Sequence, residues 1–147
     1  MQLTMHTDYA LRLLIFLAVR QGQSATVQEV AEAYRASTNH MAKVAQRLTQ
    51  LGYVNSTRGR GGGLRLGIAP ESINLGDLVR QTENTLTLVE CFEENSGCPI
   101  EPECGLKRVL KQAQDAFFAE LSRLTLADLV TRPQRFTALQ VKSSVLR

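Results

Sequence analysis

Residues 26–66 read TVQEVAEAYRASTNHMAKVAQRLTQLGYVNSTRGRGGGLRL, and their punctuation decides the fold. Thr26 and Glu29 form a capping-box pair, each side chain satisfying a backbone N–H of the other residue. A short helix opens there, through Val27, Val30, Ala31 and Tyr34. Ser37 caps a second helix, in which Met41, Val44, Ala45, Leu48 and Leu51 recur at helical spacing. Its other face carries Thr38, Asn39, His40, Lys43 and Arg47, and Gly52 ends it as a C-terminal glycine does. Two short runs, residues 53–57 and 64–66, then flank Arg58-Gly59-Arg60-Gly61-Gly62-Gly63 and read as a β-hairpin. Two short helices, a tight turn and a hairpin directly behind the second helix make a winged helix-turn-helix.

The flanks supply the rest of a mainly α protein. Upstream, residues 8–20 are apolar on nearly every side and are expected to form a mostly buried helix, with a strand through residues 13–19 as the alternative. Downstream, Asn74 and Asp77 start another helix. Leu106, Val109, Leu110, Ala113, Ala116, Phe117, Leu121 and Leu124 then mark a long amphipathic helix. Too little chain surrounds that stripe to bury it, so a second subunit is expected along it. Thr125 and Asp128 cap a last short helix, residues 126–130, and from Pro133 onward there is no periodicity. The expected organisation is a DNA-reading unit over residues 1–83, a loop over 84–105, dimerisation and C-terminal helices over 106–131, and a loosely ordered tail over 132–147.

The 147 residues suffice for one core, and 44% hydrophobic with 21% charged content is ordinary for a globular chain. The longest apolar run is far too short for a bilayer, and the Met1-Gln2-Leu3-Thr4 start lacks the basic character of a signal peptide. A cytoplasmic protein is expected. The net charge of +3 is unevenly spread. Residues 1–70 hold eight basic and three acidic side chains, against nine basic and eleven acidic in residues 71–147. A basic front half suits a polyanion, double-stranded DNA first of all.

Residues at the start of a recognition helix meet base edges in the major groove, here Thr38, Asn39, His40 and, a turn later, Lys43 and Arg47. Asparagine can bond adenine twice, and lysine can reach guanine or a phosphate. Arg58 and Arg60 sit on a ribbon thinned by glycines, where Gly62 allows a close backbone approach to phosphate, and the arginines suit a minor groove. Nucleotide binding by this loop is excluded: Leu64 stands where a dinucleotide fingerprint has its third glycine, and no Gly-Lys-Ser/Thr follows.

All three cysteines, Cys91, Cys98 and Cys104, lie in one turn-rich segment, with six and then five residues between them. Catalysis is not expected: Glu90, Glu93, Glu94, Glu101 and Glu103 surround the thiols, and only His6 and His40 are available as bases. A structural zinc site usually shows tighter pairs. An iron–sulfur cluster takes thiolate ligands and supplies the positive charge that residues 84–106 lack. Three thiolates leave one ligand position open, for His6, His40, a loop carboxylate, Asp8 or a small exogenous ligand. Structural zinc and a metal-free thiol switch remain the alternatives.

The chain resembles the winged-helix iron–sulfur regulators of bacteria from its start to Val130. The resemblance rests on Leu3-Thr4 with Thr7-Asp8-Tyr9-Ala10-Leu11-Arg12, the helix Asn39-His40-Met41-Ala42-Lys43-Val44, and the wing Arg58-Gly59-Arg60-Gly61-Gly62-Gly63. The three cysteines and Leu126-Ala127-Asp128-Leu129-Val130 complete it. One branch of that family has a histidine three residues after the third cysteine; this chain has Lys107 there, and is more similar to the nitric-oxide-sensitive branch. The resemblance implies a homodimeric repressor whose 4Fe–4S cluster (2Fe–2S as the alternative) is held by Cys91, Cys98, Cys104 and, from the partner subunit, Asp8. From spacing alone Asp8 reads as a helix cap. The six-residue gap between Cys91 and Cys98 is longer than usual for the family.

Overall fold

The computed structural model describes residues 2–92 and 97–140. Thr4 caps the first helix, α1 (Met5–Val19), its hydroxyl accepting from the Thr7 N–H at 3.2 Å. The helix thus begins three residues ahead of Asp8, which falls in its first turn and is not the cap. The run through residues 13–19 is helical, not a strand, and Ala10, Leu13, Leu14, Phe16 and Leu17 are each at most 2% exposed. A helix apolar on several sides belongs in the middle of the core, and α1 packs against the reading head, the wing and the C-terminal elements alike.

Helices α2 (Val27–Ala33) and α3 (Thr38–Gln50) start at the expected caps, with the full Thr26–Glu29 box on α2 and Ser37 on α3. Met41, Val44, Ala45 and Leu48 turn inward onto α1. The Tyr34 hydroxyl donates to the Arg12 carbonyl at 2.9 Å and ties the end of α2 to α1. The wing is an antiparallel pair, β1 (Val54–Thr57) and β2 (Gly63–Leu66), in register Val54↔Leu66 to Thr57↔Gly63. Ala25 extends it by one bridge, exchanging hydrogen bonds with Leu64 at 3.0 and 2.7 Å.

Helix α4 (Leu75–Thr82) runs beside the far end of α5 (Gly105–Ser122). The Asn74 side chain caps α4 and donates to the Ser122 carbonyl at 2.8 Å, while Leu75 N–H reaches the Leu124 carbonyl at 3.0 Å. Gly76 allows the close approach of the two helices: a Cβ on it would lie 2.2 Å from the Ser122 hydroxyl and 3.0 Å from the Ser122 Cα. At about 1.5 Å per residue α4 spans less than half of α5, so the front half of α5 continues past it toward the Glu90–Phe92 turn.

Thr125 and Asp128 box-cap α6 (Leu126–Leu129), and Leu126 is fully buried. Beyond it the structure is more ordered than the expected loose tail. A helical turn at Pro133–Arg135 and a short helix α7 (Thr137–Gln140) lie against α1, and Leu139 is only 9% exposed. One buried leucine and the half-buried Phe136 hold this segment. A contact set so sparse leaves no periodic trace in sequence. Residues 141–147 lie outside the described ones.

Candidate nucleic-acid interface and cysteine segment

On α3 the inward row of Met41, Val44, Ala45 and Leu48 leaves Thr38, Asn39, Ala42, Lys43 and Gln46 exposed on the opposite face. Ala42 and Gln46 were not singled out by sequence reasoning, although their spacing from Asn39, three and seven residues, places them on its face. Two expected readers are turned elsewhere. The His40 ring meets the edge of Tyr9 at 5.0 Å and stacks near His6 at 6.3 Å, so it faces α1. The Arg47 guanidinium donates to the Gln81 carbonyl at the end of α4, at 3.2 Å.

In the wing, Arg58 and Arg60 are exposed at the hairpin tip and Arg65 is exposed on β2. Among the described residues none of these, nor Lys43, is engaged in an ion pair, in contrast to Arg12, Arg20, Arg80 and Arg123. Unpaired cations beside the recognition face are what a phosphate backbone binds. Gly62 has a structural reason of its own: a Cβ there would lie 2.3 Å from the Thr57 carbonyl oxygen. The glycine thus lets the tip that carries Arg58 and Arg60 close, its N–H donating to the Gly59 carbonyl at 3.0 Å.

The cysteine segment is built differently. Cys91 sits in the turn Glu90–Phe92, and Cys98 precedes the turn Glu101–Glu103. Cys104 is the N-cap of α5, its sulfur accepting from the Lys107 N–H at 3.4 Å. All three cysteines are half-buried. The Lys107 ammonium is ion-paired with Glu101. That hydrogen bond raises its pKa, and the nearby Cys91 and Cys104 act in the same direction.

A cavity of about 390 Å³ lies beside Cys104, lined also by Phe92, Lys107, Arg108 and Lys111. The acidic reading of the segment therefore needs correction: the first turns of α5 bring three cations to a loop whose own sequence has none. Glu93 and Glu94, used in that reading, lie outside the described residues.

Among the described residues no three His, Cys, Asp or Glu side chains converge into a metal-holding group within one chain. His6 and His40 are occupied with each other at the α1–α3 seam. Burial lowers the His6 pKa; His40 and Arg47 add to this and Glu83 opposes it. Asp8 is gripped by Arg12, through Nε at 3.1 Å and Nη2 at 2.9 Å. The donor set itself, three soft sulfur side chains in one segment with Cys104 beside a cavity, fits an iron–sulfur group better than it fits a hard oxygen-seeking cation.

A winged helix with an unpaired cationic outer face defines a DNA-binding transcriptional regulator, not an enzyme. No helix of the described residues is long and apolar enough to cross a membrane. The chain belongs to the Rrf2 family, whose model, described as an iron-dependent transcriptional regulator, matches residues 3–132. It is 54% identical over 132 residues to the HTH-type transcriptional regulator NsrR of Bacillus subtilis (strain 168), covering 88% of this chain and 90% of that one. NsrR of Halalkalibacterium halodurans is 46% identical over 141 residues, 95% of this chain and 97% of that one. Among solved structures, CymR, the global cysteine regulator of B. subtilis, superposes with a TM-score of 0.72 at 25% identity, covering 89% and 97% of the two chains. IscR of T. potens gives 0.70 at 22%, over 97% and 93%.

Proposed function

We propose that the protein is a homodimeric repressor that reads a palindromic operator and responds to nitric oxide through a 4Fe–4S cluster. Cys91, Cys98 and Cys104 of one chain and Asp8 of the partner subunit would hold the cluster. When bound, it supplies irons to which nitric oxide can bond. The observation that carries the reading is the joining, in one Rrf2 chain, of a cationic winged helix to three cysteines carried on the one segment between α4 and α5.

The chain's own residues do the rest. Asn39, Ala42, Lys43 and Gln46 face the bases, and Arg58 and Arg60 meet the backbone beside them. On α5, Leu106 is 65% and Val109 56% exposed, with Ala113 and Ala116 in the same stripe. A second subunit covering that stripe with its copy would present two recognition helices to half-sites about 34–36 Å apart, or a multiple of that turn of DNA. Asp8 and Arg12 form a local pair on the surface of α1, so Asp8 must exchange that partner to reach a neighbouring chain's cysteines.

The test is an operator-binding titration with nitric oxide on anaerobically prepared protein. Loss of DNA binding in step with loss of the cluster absorption is expected. Cys91→Ala, Cys98→Ala and Cys104→Ala should each lack both the colour and the response. DNA binding that is indifferent to nitric oxide while the absorption changes would contradict the reading. A metal-free thiol switch retains one observation in its favour, the cations of Lys107, Arg108 and Lys111 around Cys104. It predicts rapid alkylation of Cys104 in protein free of iron.

A further inference from the structure

The end of α4, Gln81 and Thr82 with the C-cap Glu83, contacts both the cap of α1 and the recognition helix, and leads directly into the cysteine segment. The Glu83 carboxylate accepts from the Thr4 backbone N–H at 2.8 Å and from the Thr4 hydroxyl at 3.1 Å. Thr4 is the cap that starts α1, four residues before Asp8. Two positions before Glu83, the Gln81 carbonyl receives the Arg47 guanidinium from the recognition helix at 3.2 Å. Between them Thr82 is 5% exposed and donates back to the Leu78 carbonyl at 2.9 Å, so this turn is held firmly in the helix. Immediately after Glu83 begins the segment that carries all three cysteines.

A helix cap alone would not need this arrangement. Thr4 already satisfies α1 through the Thr7 N–H; the contact to Glu83 adds a link between positions 79 residues apart in sequence. We propose that Glu83 is the positioning residue of the switch. It fixes the start of α1 to the root of the cysteine segment, and the same turn of α4 holds α3 through Arg47. A displacement of either cluster-bearing element then reaches the recognition helix through one rigid turn. This inference rests on the cluster reading above and names the contact by which that site would act on DNA.

The test compares the affinity of protein with and without its cluster for one duplex, chosen by wild-type protein from a random pool. Coupling free energies of this kind amount to about 5- to 150-fold in affinity. Glu83→Ala should take up the cluster with the wild-type spectrum and still bind the duplex, while the ratio of the two affinities falls to within about twofold of one. Glu83→Gln, which keeps an acceptor oxygen, should retain most of the ratio. Thr4→Val keeps the N–H but removes the hydroxyl, and should give an intermediate ratio; it serves as the test if Glu83→Ala does not fold. An unchanged ratio in Glu83→Ala with its cluster intact overturns the proposal, and so does failure of that variant to hold the cluster. Wild-type protein whose affinity ignores the cluster overturns the underlying reading instead, which separates the two failures.

Discussion

Tyr34 shows how one side chain fixes the reading head. Its hydroxyl donates to the Arg12 carbonyl, and burial pushes its pKa from 10.0 up to about 12, with Arg12 opposing. Tyr34→Phe should lower unfolding stability by about 1 kcal/mol, the usual net worth of such a bond. Because the folded pKa is the higher one, the unfolded state loses its proton first. The contribution of Tyr34 is intact below pH 10 and fades as pH rises toward about 12, which alkaline thermal melts of wild type and variant would reveal. On the DNA face, Arg60→Ala should weaken binding to all sequences alike and flatten the salt dependence by about one unit of slope. Gln46→Ala should instead cost about 1–3 kcal/mol at one base position per half-site and relax the preference there. Thr38, Asn39 and Lys43 are legible in the sequence as outward-facing, and the structure leaves them exposed together with Gln46. The sequence also places His40 and Arg47 on that face, where helical spacing gives a side but not the contacts each side chain makes. Tyr9 on α1 and the Gln81 carbonyl on α4 compete for those side chains, and both lie far away in sequence.

At the scale of elements, the caps were the most legible features. Thr26 with Glu29, Ser37, Asn74, and Thr125 with Asp128 all start helices where the sequence places them, since a cap needs only neighbours three residues away. Thr4 escaped notice because the apolar run draws attention to residue 8 onward. The α5 stripe was legible as a stripe but not as two. Phe117, Phe118 and Leu121 are half-buried on the side toward α4, while Leu106, Val109, Ala113 and Ala116 face outward. No residue of α5 is fully buried in the single chain, although the helix is 18 residues long. Exposed apolar surface of this kind marks an interaction face. Val109→Asp should shift sedimentation from dimer to monomer, leave the α1-centred core folded by circular dichroism, and reduce operator affinity. A dimer that persists in this variant would move the subunit interface elsewhere. The order of residues 132–140 was the least legible part, because Leu139 and Phe136 pack onto a core made by residues more than a hundred positions earlier.

At the scale of the whole molecule, the uneven charge and the gathered cysteines carried the functional reading, and the family match supports a DNA-binding regulator directly. What the residues alone could not supply is the place where the cysteine segment meets the reading head. That depends on Glu83, Thr4 and Arg47, three residues from three separate helices or their caps. The central claim is that those cysteines hold a cluster that governs DNA binding. The most direct measurement is an anaerobic absorption spectrum with iron and sulfide counts, followed by operator binding on the same sample. The account predicts brown protein with about four irons and four sulfides per chain, and operator binding that weakens about 5- to 150-fold when the cluster is removed. A colourless, iron-free anaerobic protein that binds the operator tightly would contradict it.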